Sequence, residues 1–304
     1  MADGRNHGFL RESDGAFTTF DVPGSAGTVP ASINAHGSIT GYYLAGLNHG
    51  FLRHSDGAIT TFDPPGSIDT FAAGINAHDS ITGCYNDAAG VYHGFLRHSD
   101  GTFTTFDPPG SVSTNCASSI NDHGSITGGY QDAAFQNHGF LRDSNGTIIT
   151  IDPPGSVGTF ATSINDHGSI TGEYADAAGG HGFLRQGDGT FTTFTPPGSV
   201  GTSAAFINDH GSITGTYFTP GSIPETLGPP HGFLRDSDGT IITIDPPGSV
   251  STFVTSINDH ASITGWYFTA AVGRHGFVRH DDRDKTDEGE PAETSPAEEN
   301  DASR

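Results

Sequence analysis

Side chains able to do acid–base, nucleophilic or metal chemistry are plentiful in this 304-residue chain, but most of them recur at fixed intervals. Histidine recurs in two series. His36, His78, His123, His167, His210 and His260 occupy one repeated turn, and His7, His49, His93, His138, His181, His231 and His275 each begin a His-Gly-Phe tripeptide. Imidazole is a common metal ligand. Six symmetric turns, however, hold their side chains too far apart for one ion that needs ligands at about 2 Å. Turn residues and structural hydrogen-bonders are the expected roles, and no metal or other cofactor is expected. Asp236-Ser237-Asp238-Gly239 begins like a calcium loop but lacks the later acidic positions and the distant Glu, so it reads as a hairpin turn. Cys84 and Cys116 are too few for a disulfide framework and are expected as two buried free thiols. Either would be a nucleophile only beside a base, and the sequence assigns none. No paired carboxylates, no Ser/His/Asp grouping and no phosphate-cradling loop rise above the repeat.

The repeat itself must position whatever chemistry there is. His-Gly-Phe returns every 42 to 50 residues, and one unit runs HGFLRHSDGTFTTFDPPGSVSTNCASSINDHGSITGGYQDAAFQN from His93. A period near 44 residues belongs to propeller blades or helical solenoids. Gly and Pro, 44 and 18 in number, punctuate the units at short intervals and no 3.6-residue apolar period appears, which excludes helical repeats. Each unit offers four short strands. HGFLR is joined to the FTTFD type by Ser-Asp-Gly, a hairpin signal because Gly takes the positive φ such turns need. Pro-Pro-Gly cannot donate to a ladder, so it ends the strand and crosses over. The next strand ends in Ser-Ile-Asn, and Asn-Asp-His-Gly turns the chain into Ser-Ile-Thr-Gly-x-Tyr.

These elements predict an all-β, six-bladed β-propeller of four-stranded antiparallel blades. The Ser-Ile-Asn strand lies innermost, then SITGxY, then HGFLR, with FTTFD outermost. A parallel β-helix is the competing fold, and the Asp-Gly hairpins argue against it. FTTFD, Ser-Ile-Asn and SITGxY types occur six times but HGF-Leu/Val-Arg seven times. The last unit lacks an outer strand, which 17–21 is expected to supply. N-terminal strands pairing with the C-terminal blade would then close the ring and leave either 7–11 or 275–279 surplus. The propeller is expected over 1–281 and a disordered acidic tail over 282–304.

The unit resembles the bacterial HAF-type extracellular repeat, in which an HGFL strand alternates with an Ile-Asn-x-x-Gly-x-Ile-x-Gly strand pair. Here these are His138-Gly139-Phe140-Leu141 and Ile164-Asn165 through Ile170-Thr171-Gly172. The resemblance covers residues 7–279. It implies a propeller-like fold and an extracellular protein, and carries no reaction or ligand residues. The opening hexapeptide has no apolar stretch of the secretory kind, which by itself reads as cytoplasmic.

Formal net charge is −23, and residues 281–304 hold ten acidic and three basic side chains. Seven of the eleven Arg occupy one repeated position, so no basic stripe exists for nucleic acid or an anionic membrane. A site for one asymmetric ligand must break the six-fold symmetry. The residue before Tyr in SITGxY is Tyr42, Cys84, Gly129, Glu173, Thr216 or Trp266, and the residue after the crossover Thr is Val29, Phe71, Asn115, Phe160, Ser203 or Phe253. Both places are expected on the inner two strands, at the end bearing the long connections. Tyr42, Phe71, Phe160, Phe253 and Trp266 would be apolar platforms, with Asn115, Glu173 and Thr216 orienting a ligand. This mixture suits a small molecule or glycan, and the expected function is a lectin-like, carbohydrate-binding propeller with a pocket at the channel mouth. The alternatives are a hydrolase, lyase or cyclase using Glu173 as acid/base, or a scaffold carrying a protein partner on one face. Neutral drift in packing would give the same variability without any site.

Overall fold

The computed structural model describes residues 4–221, 227–270 and 273–280. The chain is all-β, with no helix among the described residues, and five four-stranded antiparallel sheets and one three-stranded sheet are arranged as the six blades of a β-propeller. Blade 1 is built from β3 (Gly27–Ile33), β4 (Ile39–Ala45), β5 (Leu47–Arg53) and β6 (Ile59–Phe62). Blades 2 to 5 repeat this pattern over 69–106, 111–151, 158–194 and 201–244. Strand order within each is the chain order, with the first strands of successive blades lying against one another around the axis. The inner-to-outer order read from the repeat therefore stands.

Local chemistry accounts for each turn. In the outer hairpin of blade 1, Gly57 takes φ 91° and the Asp56 carboxylate accepts the Ala58 amide. SITG ends in Gly because a Cβ there would run into the carbonyl of the facing strand, as Gly83 would meet Phe71. The Asn of Ser-Ile-Asn closes the inner turn. The Asn121 Oδ1 accepts the Ser125 amide, and its Nδ2 donates to the Asn165 carbonyl of the next blade. The same donation links Asn34 to Asn76, Asn76 to Asn121, Asn165 to Asn208 and Asn208 to Asn258. Five junctions are thus stitched by one amide each, buried in all but the half-buried Asn34.

The core lies between blades. At the junction of blades 1 and 2, Leu52 and Phe62 pack on Ala72, Ile75, Ile81, Tyr85 and Phe95. Corresponding sets recur at the next four junctions. Each fully buried Phe removes enough apolar surface to contribute roughly 2–3 kcal/mol. The repeated Arg stacks on the outer Phe of the preceding unit: Arg53, Arg97, Arg142 and Arg235 lie about 5.1–5.2 Å above Phe20, Phe62, Phe106 and Phe194. These guanidiniums join blades rather than face solvent.

Two expectations are corrected. First, the N-terminal strands do not complete the last blade. β1 (Gly8–Arg11) pairs only with β2 (Phe17–Phe20), and blade 6 comprises β23 (Ser249–Ile257), β24 (Ile263–Thr269) and β25 (Arg274–Arg279). β25 follows β24 through a short connection, so its pairing closes a small loop, whereas a pairing with residue 10 must close some 250 residues. The β1–β2 hairpin instead packs on blade 1 through Leu10, Phe20 and Val22. Second, Cys84 and Cys116 are joined in a disulfide, with Cα atoms 4.6 Å apart. They hold non-equivalent places in neighbouring units. A bulge in β11 (Ser111–Ile120), where Cys116 takes φ 79°, brings its sulfur to blade 2. The acidic tail and residues 222–226 of the longest connection lie outside the described residues.

Candidate ligand site on the blade wall

The two variable places are cross-strand partners. Val29 faces Tyr42, Phe71 faces Cys84, Phe160 faces Glu173, Ser203 faces Thr216 and Phe253 faces Trp266. In blade 3 the Cys116 bulge shifts the register, but Asn115 still lies beside Gly129. Direct partners project to one face of a sheet, here the face turned to the next blade. The Tyr42 ring meets the Phe71 ring edge-on at 5.2 Å, Cys84 bonds to Cys116, and a Cβ at Gly129 would lie 3.5 Å from Phe160. The variable side chains therefore run along the wall from junction to junction.

A third variable place, missed in the sequence, joins them. It is the residue before the His-Gly-Phe of each blade: Asn48, Tyr92, Asn137, Gly180, Pro230 and Arg274. The Tyr92 ring lies 6.5 Å from Phe71, Arg274 lies 5.0 Å over Trp266, and the Asn137 Oδ1 accepts a 3.0 Å bond from the Asn115 Nδ2. Its variability was visible, but it sits outside the near-fixed motifs, in a segment of changing length.

The junctions differ in what they leave open. Trp266 has Phe253 stacked at 4.0 Å and 16°, with Arg274 over the ring, so its π faces are occupied within blade 6. Thr216 is buried, and Cys84 is closed off by its disulfide, so neither cysteine offers a thiolate. At the junction of blades 3 and 4 the variable place is a buried glycine. Gly129 has no side chain, Phe160 is exposed beside it, and Asn115 and Asn137 lie on the blade 3 side. Glu173, half-buried, stands across the strand from Phe160. This arrangement offers an exposed aromatic face, with two amides on the blade 3 side and a carboxylate on the strand paired with Phe160.

The repeated polar residues are structural. The Nδ1 atoms of His49, His93 and His138 lie 2.7–2.9 Å from Asp63, Asp107 and Asp152, and each ring also lies against the repeated Tyr. Where Thr195 replaces the Asp, its hydroxyl meets His181 at 2.8 Å. Burial depresses the His93 imidazole, but Asp107 and Asp87 outweigh it and raise its pKa overall; Asp152 and Asp132 do the same for His138. The Asp166 carboxyl at an inner turn is raised, first by burial, against the amide bond from Asp122, with Asp122 and Asp209 adding repulsion. Among the described residues no group of three or more His, Cys, Asp or Glu is placed to hold a metal ion. No helix among them is long and apolar enough to cross a membrane. Two described cavities, of about 290 and 360 Å³, lie at the ends of the chain rather than on this wall; the first is lined by His7, Asp21 and Ser25, the second by Ile244 and Phe277.

The fold is that of a six-bladed β-propeller. No protein-family model and no curated protein matches the chain. Among solved structures it is similar to a putative TolB from Agrobacterium tumefaciens, with a TM-score of 0.53 and 11% identity, covering 73% of this chain and 80% of that one. TolB from Acinetobacter baumannii gives 0.51 and 14% identity, covering 76% of this chain; only 61% of the Acinetobacter chain is spanned. A fungal six-bladed propeller lectin from Aleuria aurantia superposes less closely, at 0.46 and 13% identity over 82% of this chain and 88% of the lectin. At these identities the likeness is one of fold.

Proposed function

We propose that this propeller binds a small carbohydrate ligand at the junction of blades 3 and 4. The observation that carries the reading is the exposed Phe160 ring beside Gly129, where the variable place carries no side chain. A pyranose presents an apolar C–H face and a rim of hydroxyls. Phe160 supplies a flat apolar partner, and Glu173, Asn115 and Asn137 supply acceptors and donors to fix its orientation. At the other junctions the same place carries Tyr42, the disulfide, Glu173, Thr216 or Trp266, so one site per chain is expected.

The test is a glycan array followed by calorimetry on any positive glycan. Phe160→Ala weakens binding at least about tenfold, the loss of one well-packed contact. Gly129→Tyr puts a side chain against the Phe160 ring and abolishes binding, while Trp266→Ala leaves it unchanged. Glu173→Gln weakens binding without any accompanying turnover. Binding that survives Gly129→Tyr, or an array with no positives, would sink this assignment.

A further inference from the structure

The two ends of the propeller are unlike its interior. In blades 1 to 5 the Phe of His-Gly-Phe is fully buried, at Phe51, Phe95, Phe140, Phe183 and Phe233, yet Phe9 on β1 is 61% exposed. Phe17 on β2 is 66% exposed, and its ring lies 5.8 Å from Phe9. In blade 2 the corresponding pair, Phe95 and Phe103, sits 6.1 Å apart and packs into the junction with blade 1. Ile33 on the inner strand is 53% exposed, whereas Ile75, Ile120, Ile164, Ile207 and Ile257 are all buried. Among the described residues the asparagine ladder begins at Asn34 and stops at Asn258.

The C-terminal end carries the complementary defects. Blade 6 has no fourth strand among the described residues. The cavity of about 360 Å³ is lined by Ile244, Phe277 and Val278. Ile244 and Phe277 correspond to Phe62 and Phe95, and in blade 2 the space beside those two is filled by Phe103, 6.1 Å from each. By the repeat, Phe103 corresponds to Phe17. The third-strand place differs too. Phe20 covers Gly8 as Phe62 covers Gly50, whereas Gly276 has no outer aromatic above it.

We propose that β1 and β25 are competing copies of one strand, and that the ring closes when β1 displaces β25 from the edge of β24. Both carry His-Gly-Phe, so β1 takes over the register of β25. Tyr267, Gly265 and Thr264, now opposite His275, Phe277 and Val278, come to face His7, Phe9 and Leu10. The β1–β2 hairpin then completes blade 6 as its two outer strands, while keeping the Leu10, Phe20 and Val22 contacts that it already makes with blade 1. This single exchange buries Phe9, Phe17 and Ile33 and gives the Asn258 amide the Asn34 carbonyl. β25 is released with residues 280–304 behind it. The occupant is the chain's own hairpin, because blade 1 holds it near the seam at a high effective concentration.

Full-length Leu10→Cys/Thr264→Cys protein tests the pairing directly, since these positions are cross-strand partners only after the exchange. An intrachain cross-link on mild oxidation, in monomeric protein, is expected. Cross-linked dimers, or no cross-link, would overturn the proposal. Two further full-length variants guard against a folding artefact of that pair. Phe9→Ala is expected to lower Tm by at least about 5 °C, as for a buried Phe, and Phe277→Ala by less than about 1 °C. An equal loss in both variants, or a larger loss in Phe277→Ala, would count against the exchange. Limited trypsin is expected to cut after Arg274 and Arg279 in the native protein, and resistance there has the same adverse meaning.

Discussion

Two substitutions at equivalent inner turns separate backbone strain from side-chain bonding. The fourth residue of this turn is Gly37, Gly124, Gly168 and Gly211 in four blades, each at positive φ, but Asp79 and Ala261 in the others, at φ 59° and 53°. A non-glycine residue there costs roughly 1–2 kcal/mol. Ala261→Gly is therefore expected to stabilise the protein by about 1 kcal/mol, read as a rise in the urea midpoint. Asp79→Gly gains less relief, because Asp tolerates this conformation better than Ala, and loses the acceptor that Asp79 offers to the Asn34 Nδ2 at 2.9 Å, so its midpoint moves less or falls. An equal rise in both variants would show that this bond contributes nothing. The turn was legible in the sequence because Asn and Gly recur there together. Its link to the next blade was not, because the partner of each Asn side chain lies some 42 to 50 residues away.

Strand-level contacts carry the pH and redox dependence. His93 and His138 tie the third strand of their blade to the Asp that ends its outer strand, and both imidazoles have raised pKa values. A group whose folded pKa exceeds its unfolded value of about 6.5 stabilises fully below that value and loses its contribution as pH rises through the folded one. Asp87, Asp132 and Asp176 are lowered, first by backbone amides. Their contribution is present above the ordinary carboxylate pKa and fades as pH falls through the depressed one. Thermal stability is expected to peak between roughly pH 4 and 6.5 and to decline above it, with a shallower decline in His93→Asn/His138→Asn. A Tm flat from pH 5 to 9 would show that these pairs are energetically silent. The disulfide joins strands of adjacent blades across 32 residues, and the chain-entropy model gives it about 3–4 kcal/mol. Cys84→Ser/Cys116→Ser, or reductant on the parent protein, should shift the denaturation midpoint by that amount. No shift would mean that packing alone fixes the junction of blades 2 and 3.

At the scale of the whole molecule, six blades share one construction, and cooperativity depends on whether the last junction is made. Asn121→Ala breaks a buried two-way bridge and is expected to cost about 2–3 kcal/mol. Asn258→Ala is expected to cost as much if the ring closes through β1, and about 1 kcal/mol less if Asn258 merely ends the ladder. The comparison of the two midpoints decides between these states. What the sequence by itself determined was everything that repeats. Asp-Gly, Pro-Pro-Gly and Gly-x-Tyr act through the conformational freedom of two or three adjacent residues, so the strand order, the turns and the blade number were readable from the period. The opposition of the two variable places also follows from that register. Tertiary structure alone decided what crosses between units: the Cys84–Cys116 bond, the covering of Trp266 by Phe253 and Arg274, the exposure of Phe160 beside Gly129, and which of seven near-identical strands sits beside β24. Such contacts depend on bulges, neighbouring side-chain volumes and loop-closure entropy, and copies of one motif carry no mark of which copy will win.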